Sequence, residues 1–286
     1  MPNPHLPRET LDHIVDFLHD KPEALKDCCL VSKSWVPHTR KRLFAKVEFT
    51  SVKDLESWKE AFPDPSNSPG RHTRTLTVRC ARVITAEGTG AEDLVQIFPR
   101  VVRLTLTTFK NNTLLVTGIL DVVDFTPFRK LSPTLKSLHV DFIVLPCSQI
   151  LKFVSSLPFL EDLVLAGRNL LLETHEPQGV VNSSPQAFTG LLELNISIGI
   201  GGATRWLLVL PGNLHFRKLA VSWFPEEDVL WTMQLVTRCS DTLECLDIRS
   251  HLPCVLILIP RGVATYLRLQ ANITCPPLTS QKRQNW

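Results

Sequence analysis

Hydrophobic residues recur along this chain in a short pattern. An apolar residue is followed by two variable ones, a second apolar residue, one variable residue and a third apolar one. The copies are FAKVEF (44–49), TRTLTV (73–78), VVRLTL (101–106), LKSLHV (135–140), LEDLVL (160–165), LLELNI (191–196), FRKLAV (216–221) and LECLDI (243–248). The alternation at the end of each copy predicts a short strand with one buried side. TYLRL (265–269) is a further candidate for a last strand.

Between the strands the apolar residues recur every three or four positions, which is typical of amphipathic helices. The helices predicted in this way cover 52–62, 91–98, 148–157 and 226–236. The segment GIGGAT at 199–204 is glycine-rich and is interpreted as a loop, because it lacks the spacing of a phosphate-binding loop.

Strand and helix in alternation predict an α/β fold with parallel strands on one side and helices on the other. The copies begin 25 to 34 residues apart, which is the range of irregular leucine-rich repeats. Residues 47–275 are therefore predicted to form such a solenoid, with strands on its concave side. A non-repetitive α/β domain whose strands share a short motif is the alternative. One leucine of each unit should stack into a buried column: Leu104, Leu138, Leu163, Leu194, Leu219 and Leu246.

The first 46 residues have the pattern of three short helices. Leu11, Ile14, Val15 and Leu18 lie on one face of the first helix, and Pro7 suits its start. Three helices of this size bury too little surface for a firm core of their own. We therefore expect another surface to cover their apolar faces.

This segment also resembles the F-box. The resemblance rests on LP-x-E-x-x-x-x-I-x-x-x-L from Leu6 to Leu18, on Leu25, and on LVSKSW at 30–35. It implies docking onto a Skp-family adaptor and, through it, onto the cullin scaffold of a ubiquitin ligase. The contacts that the resemblance carries over are Leu6, Pro7, Ile14, Leu18, Leu25, Val31, Ser32 and Trp35. An ordinary helical cap on a larger domain is the alternative.

Together these patterns predict three parts: an F-box module (1–46), a substrate-recognition solenoid (47–275) and a polar, proline-bearing tail (276–286) expected to be disordered. Similar F-box proteins with irregular leucine-rich repeats are expanded in mushroom-forming fungi. The implied function is a non-catalytic receptor that brings an unknown protein substrate to the ligase. A repeat scaffold that binds protein without any ligase is the alternative.

The outward-facing side chains of the predicted strands are candidate contacts for the substrate. They are Arg79, Arg103, Ser137, His139, Asp141, Asp162, Glu193, Asn195, Lys218 and Asp247. A solvated face without a partner is the alternative interpretation, because strands facing water need polar side chains in any case. As an outward-facing residue, Asp162 is expected to contribute little to stability.

Composition and charge add mainly exclusions. The net charge of +3 does not indicate a nucleic-acid or membrane partner. The sequence shows no secretory signal and no apolar run of membrane-spanning length, so we expect a cytoplasmic or nuclear protein. The eight cysteines and nine histidines form no zinc-binding spacing, and no catalytic motif is present. We therefore predict no metal, no cofactor and no enzymatic activity.

Overall fold

The computed structural model describes residues 7–18, 20–79, 90–107, 125–171, 188–198, 200–210, 214–222, 228–249 and 266–267. Within this part of the chain, one all-parallel sheet of nine strands follows the order of the sequence. The strands are β1 (Lys46–Phe49), β2 (Thr75–Val78), β3 (Arg103–Thr107), β4 (Ser137–Pro146), β5 (Asp162–Leu171), β6 (Leu191–Ile198), β7 (Lys218–Ser222), β8 (Cys245–Arg249) and β9 (Tyr266–Leu267).

Helices fill most of the described connections between these strands. They are α1 (Arg8–Phe17), α2 (Pro22–Val31), α3 (Val36–Leu43), α4 (Val52–Ala61), α5 (Gly90–Ile97), α6 (Cys147–Ser155), α7 (Ile200–Val209) and α8 (Val229–Cys239), with short 3-10 helices at Pro69–His72 and Pro127–Leu131. Each strand pairs with the next one along the chain, so the sheet grows by one strand-and-connection unit at a time. The predicted α/β architecture, parallel and solenoid-like, is confirmed.

The predicted secondary structure is correct for most elements, with one difference. All eight motif copies contain strands, and a short ninth strand lies within TYLRL. The last predicted helix is α8 (Val229–Cys239), and its predicted start at 226–227 lies outside the described residues. The loop interpretation of 199–204 is wrong, because residues 200–209 form α7. Gly201 lies in the first turn of α7, where its N–H donates to the buried Asp228 carboxylate at 2.9 Å.

The stacked leucines form a continuous column, but β6 is displaced in it by two residues. Leu163 pairs with Leu192, and Leu192 pairs with Leu219. Leu194 instead lies in the next column, beside Leu165. The repeat unit that contains β6 therefore begins at Thr189, which the apolar template passed over because threonine is polar. An earlier unit also begins at a polar residue, Thr73. A shift of two residues keeps every side chain on its predicted face.

One core lies between the sheet and the helices. The column that contains Leu104, Leu138 and Leu163 is buried, and so are residues from α4 to α8 that pack against it. At the first unit the core is aromatic: the ring of Trp58 contacts Phe44, Phe49 and Phe98 with centroids 5.2–6.0 Å apart. These large rings form the core beside β1, the first strand in the described part of the chain.

The segment α1–α3, which we call the helical module, is attached to this aromatic end. The Thr73 hydroxyl donates to the Phe44 carbonyl at 2.9 Å, and the Arg74 N–H donates to the Ala45 carbonyl at 2.9 Å. Within the module, Arg42 of α3 forms an ion pair with Asp16 of α1, and the imidazole of His38 lies 2.6 Å from the Asp12 carboxylate. Three helices are thus present as predicted, docked on the first repeat.

Two further expectations concern the rest of the chain. Among the described residues, no helix combines the length and the apolar character that a membrane crossing requires. The predicted disordered tail (276–286) lies outside the described residues.

Candidate protein-interaction surfaces

The helical module exposes large apolar side chains. Phe17 is 79% exposed, Leu30 is 86% exposed and Val31 is 70% exposed. Phe17 ends α1, and the other two end α2. Scattered apolar residues on a surface are ordinary, but Leu30 and Val31 are consecutive at the end of one helix and together expose apolar surface that is available to a partner.

The geometry around Ser32 explains why Leu30 and Val31 point outward. α2 ends at Val31 because Ser32 takes an extended conformation. The chain then turns, with the Trp35 N–H donating to the Ser32 carbonyl at 3.0 Å and the Ser34 N–H donating to the Ser32 hydroxyl at 3.3 Å. This turn leads directly into α3, so the last two residues of α2 remain outside the packing between the helices.

The interior of the module is formed by other residues. Leu11, Val15 and Leu25 are buried, and the hydroxyl of the fully buried Thr39 donates to the Trp35 carbonyl at 2.9 Å. The Cys29 thiol lies 2.9 Å from the same hydroxyl. These contacts give the module a small core that is independent of its exposed face.

The residues carried over from the F-box resemblance divide accordingly. Pro7 and Val31 are exposed, whereas Ile14, Leu18, Ser32 and Trp35 are half-buried. Leu25 is only 1% exposed and belongs to the interior, so its assignment as a contact does not fit the structure. Leu6 lies outside the described residues. The predicted contacts did not include Phe17 or Leu30, although Leu30 begins the LVSKSW motif and the amphipathic pattern of α1 placed Phe17 off the buried stripe.

The second candidate surface is the face of the sheet opposite the helices, which we call the open face. In-register neighbours on it include Arg103 beside Ser137, and His139 beside Val164. The predicted contacts that lie there, at least partly exposed, are Arg103, Ser137, His139, Asp141, Glu193, Asn195, Lys218 and Asp247. The prediction that these side chains face away from the core is confirmed.

Two predicted contacts are engaged within the protein. The Arg79 guanidinium lies 2.6 Å from the Glu48 carboxylate, so its charge is balanced by a neighbour in the sheet. The Asp162 carboxylate accepts a hydrogen bond from the Leu191 N–H at 2.8 Å, which joins the starts of β5 and β6. A Cβ atom at Gly190 would overlap with this carboxylate. Asp162 therefore has a structural role that the outward-facing pattern concealed.

At the far end of the open face, Asp247 is also paired. Arg249, two residues along β8, donates to its carboxylate at 2.6 Å. This hydrogen bond and the nearby negative charge raise the pKa of Arg249. The i and i+2 positions of one strand share a face, so alternation could have revealed this pair. Asp247 and Arg249 thus form a nearly neutral unit.

Two of the described cysteines, Cys28 and Cys239, have thiols with raised pKa values. Cys239 is buried, and burial raises the pKa of its thiol to about 11. A thiol with so high a pKa is a poor nucleophile near neutral pH. The pKa of the Cys28 thiol is also raised, first by burial and then by Cys29 and Asp27. Within the described ranges, no three His, Cys, Asp or Glu residues are grouped so that they could hold a metal.

These features define a class: an α/β protein with a parallel, solenoid-like sheet and an attached helical module. No protein-family model matches the chain, and no curated protein matches it in sequence. A functional assignment therefore depends on the surfaces described above and on the sequence motif.

Proposed function

We propose that this protein is a non-catalytic substrate receptor of a Skp–cullin–F-box ubiquitin ligase, with leucine-rich-repeat units forming its receptor domain. The helical module binds the Skp-family adaptor, and the repeat domain binds the target protein. The observation that carries the proposal is the exposure of Leu30 and Val31, which end α2 and begin the LVSKSW motif.

The energetics favour a partner on this face. Covering a Leu or Val side chain fully is worth about 1.5–3 kcal/mol. Leu30 and Val31 are consecutive and largely exposed, so they offer apolar surface for the centre of an interface. Other contacts join α1 to α3 and attach the module to the first repeat, so the module does not need Phe17, Leu30 and Val31 for its own packing.

The repeat domain supplies the second half of the proposed function. Its open face carries both charges and small polar groups along successive strands, which suits recognition of another protein surface. Holding a target near the ligase raises the effective concentration of the target's lysines at the enzyme that transfers ubiquitin. The receptor itself then needs no catalytic residue.

The direct test is affinity capture of the tagged chain from cells, followed by detection of a Skp-family adaptor and a cullin. Recovery of both supports the receptor function. Capture of other proteins without adaptor or cullin, from cells that express both, would instead support a repeat scaffold without a ligase role. A chain that lacks residues 1–46 is not needed for this test, because the full protein gives both outcomes.

A further inference from the structure

Basic side chains from three separate segments converge at one end of the sheet. Arg40 and Lys41 lie in the last turn of α3, and Arg71 lies in the 3-10 helix (Pro69–His72) that precedes β2. Arg74 precedes β2, and Arg100 precedes β3. We call these five residues the basic edge. In the sequence these five residues are spread from position 40 to position 100, and each basic group by itself has the pattern of an ordinary solvated surface.

Backbone contacts bring the three segments together. The Arg74 N–H donates to the Ala45 carbonyl, just after α3, at 2.9 Å. The Arg74 carbonyl accepts from the Val102 and Arg103 N–H groups at 2.8 and 2.9 Å, which places the start of β3 alongside. The Arg74 guanidinium also donates to the Arg100 carbonyl at 3.5 Å. The cluster is therefore fixed by the fold and does not depend on chance side-chain positions.

The positive charge of the basic edge is not balanced within the described structure. None of its five residues forms an ion pair with a described carboxylate. Farther along the same end of the sheet, the corresponding residues are paired: Lys136 with Glu161 at 2.7 Å, and Arg217 with Glu244 at 3.8 Å. The fold thus neutralises this end of the sheet at later repeats and leaves it cationic at the first.

The imidazole of His72 lies close to these basic side chains, and their positive charges affect its pKa. Burial lowers the pKa of His72, and the positive charges of Arg71, Arg40, Lys41 and Arg100 lower it further. The protein as a whole carries a net charge of only +3, so the concentration of charge at this end is local. Such a concentrated potential attracts an oppositely charged partner and speeds its association.

We propose that the basic edge binds an acidic segment of a partner protein, rich in Asp and Glu. Four of its side chains are exposed, and three of those are arginines, whose guanidinium groups match carboxylates in a two-bond geometry. The charges are spread over neighbouring strands and α3, which suits an extended segment more than a single ion.

The surrounding aromatic residues argue for protein over nucleic acid. Single-stranded nucleic acid is usually held by exposed rings on which its bases stack. In the first unit, the half-buried ring of Trp58 packs against the rings of Phe44 and Phe98, and Phe98 is fully buried. Beside the basic edge, the described residues therefore provide charge without a stacking platform.

The test measures binding of the full-length protein to a short fluorescent peptide of alternating Glu and Ser, at low and at high salt. We expect salt-sensitive binding that falls about tenfold or more in the variant Arg71→Glu/Arg74→Glu/Arg100→Glu. The matched control is Lys53→Glu/Arg129→Glu/Lys152→Glu, which makes the same change of charge at exposed positions elsewhere. This control should bind within about twofold of the wild type.

Three outcomes would overturn the proposal: no measurable binding of the peptide, equal losses in both variants, or tighter binding of a single-stranded RNA of equal charge. A circular-dichroism melt of each variant shows whether a loss reflects unfolding. If the triple variant is unfolded, the single variant Arg100→Glu replaces it and should still weaken binding. No adaptor is present in the measurement, so its outcome is independent of the proposed ligase function.

Discussion

The sheet and the helical module use apolar residues in opposite ways. In the sheet, every described leucine of the column from Leu76 to Leu246 is buried, because each repeat covers the next. In the module, Phe17, Leu30 and Val31 stay exposed although the helices that carry them are packed. A stack of repeats covers its own apolar surface, whereas among the described residues the helical module is packed against the first repeat alone. The contrast indicates which apolar residues hold the fold and which are available to a partner.

The largest effect on stability should come from the column of leucines. Leu163→Ala removes a fully buried side chain with leucines on both sides, so the free energy of unfolding should fall by about 2–5 kcal/mol. Leu30→Ala should change it by no more than about 0.5 kcal/mol, because that side chain is exposed. Urea unfolding of both variants checks the contrast. Equal losses would mean that the module depends on Leu30 for its packing.

A smaller effect is expected where two repeats are joined by a side chain. Asp162→Ala removes the acceptor for the Leu191 N–H, and the free energy of unfolding should fall by about 1–2 kcal/mol. Ser137→Ala, at the equivalent position of the preceding strand, is the control and should be nearly neutral. Thermal melts of the two variants compare them. Similar melting temperatures would contradict the structural role of Asp162.

The smallest effect concerns pH at the basic edge. The pKa of His72 is lowered in the folded protein, so the unfolded chain binds its proton more readily. Stability should therefore fall as the pH drops through the ordinary histidine range near 6.5. The variant His72→Gln should lose this part of the dependence. Melting temperatures at neutral and mildly acidic pH measure it, and an unchanged slope in the variant would count against the lowered pKa.

The sequence predicted the repeats better than the surfaces. The alternation of apolar residues identified all eight motif strands, because the side chains that face the helices are buried and therefore apolar at every second position. The register of β6 was missed because a polar Thr189 starts its unit, and α7 was missed because glycines obscured its apolar stripe. The glycine at 201 is explained only by Asp228, a residue twenty-seven positions away.

The candidate sites were harder to predict for a related reason. Alternation showed which way Asp162 and Arg79 face, but not that Leu191 and Glu48 already engage them. The contacts carried over from the F-box motif included Val31, while the exposure of Leu30 and Phe17 depends on where α2 and α1 end. The basic edge depends on contacts between distant segments. Local patterns determine the face of a residue, and tertiary contacts determine whether its side chain is available.

The central claim is that the exposed apolar end of α2 binds the adaptor. Its most direct test is the affinity of a purified Skp-family adaptor, measured by calorimetry, for the full-length variant Leu30→Asp/Val31→Asp. The matched control is Val209→Asp/Leu230→Asp, which places the same charges on exposed apolar positions of α7 and α8 (72% and 61% exposed). We predict a loss of about a hundredfold for the module variant, since two central apolar contacts are worth about 3 kcal/mol. The control should bind like the wild type, and both variants should melt normally. Wild-type affinity in a folded Leu30→Asp/Val31→Asp variant would contradict the account.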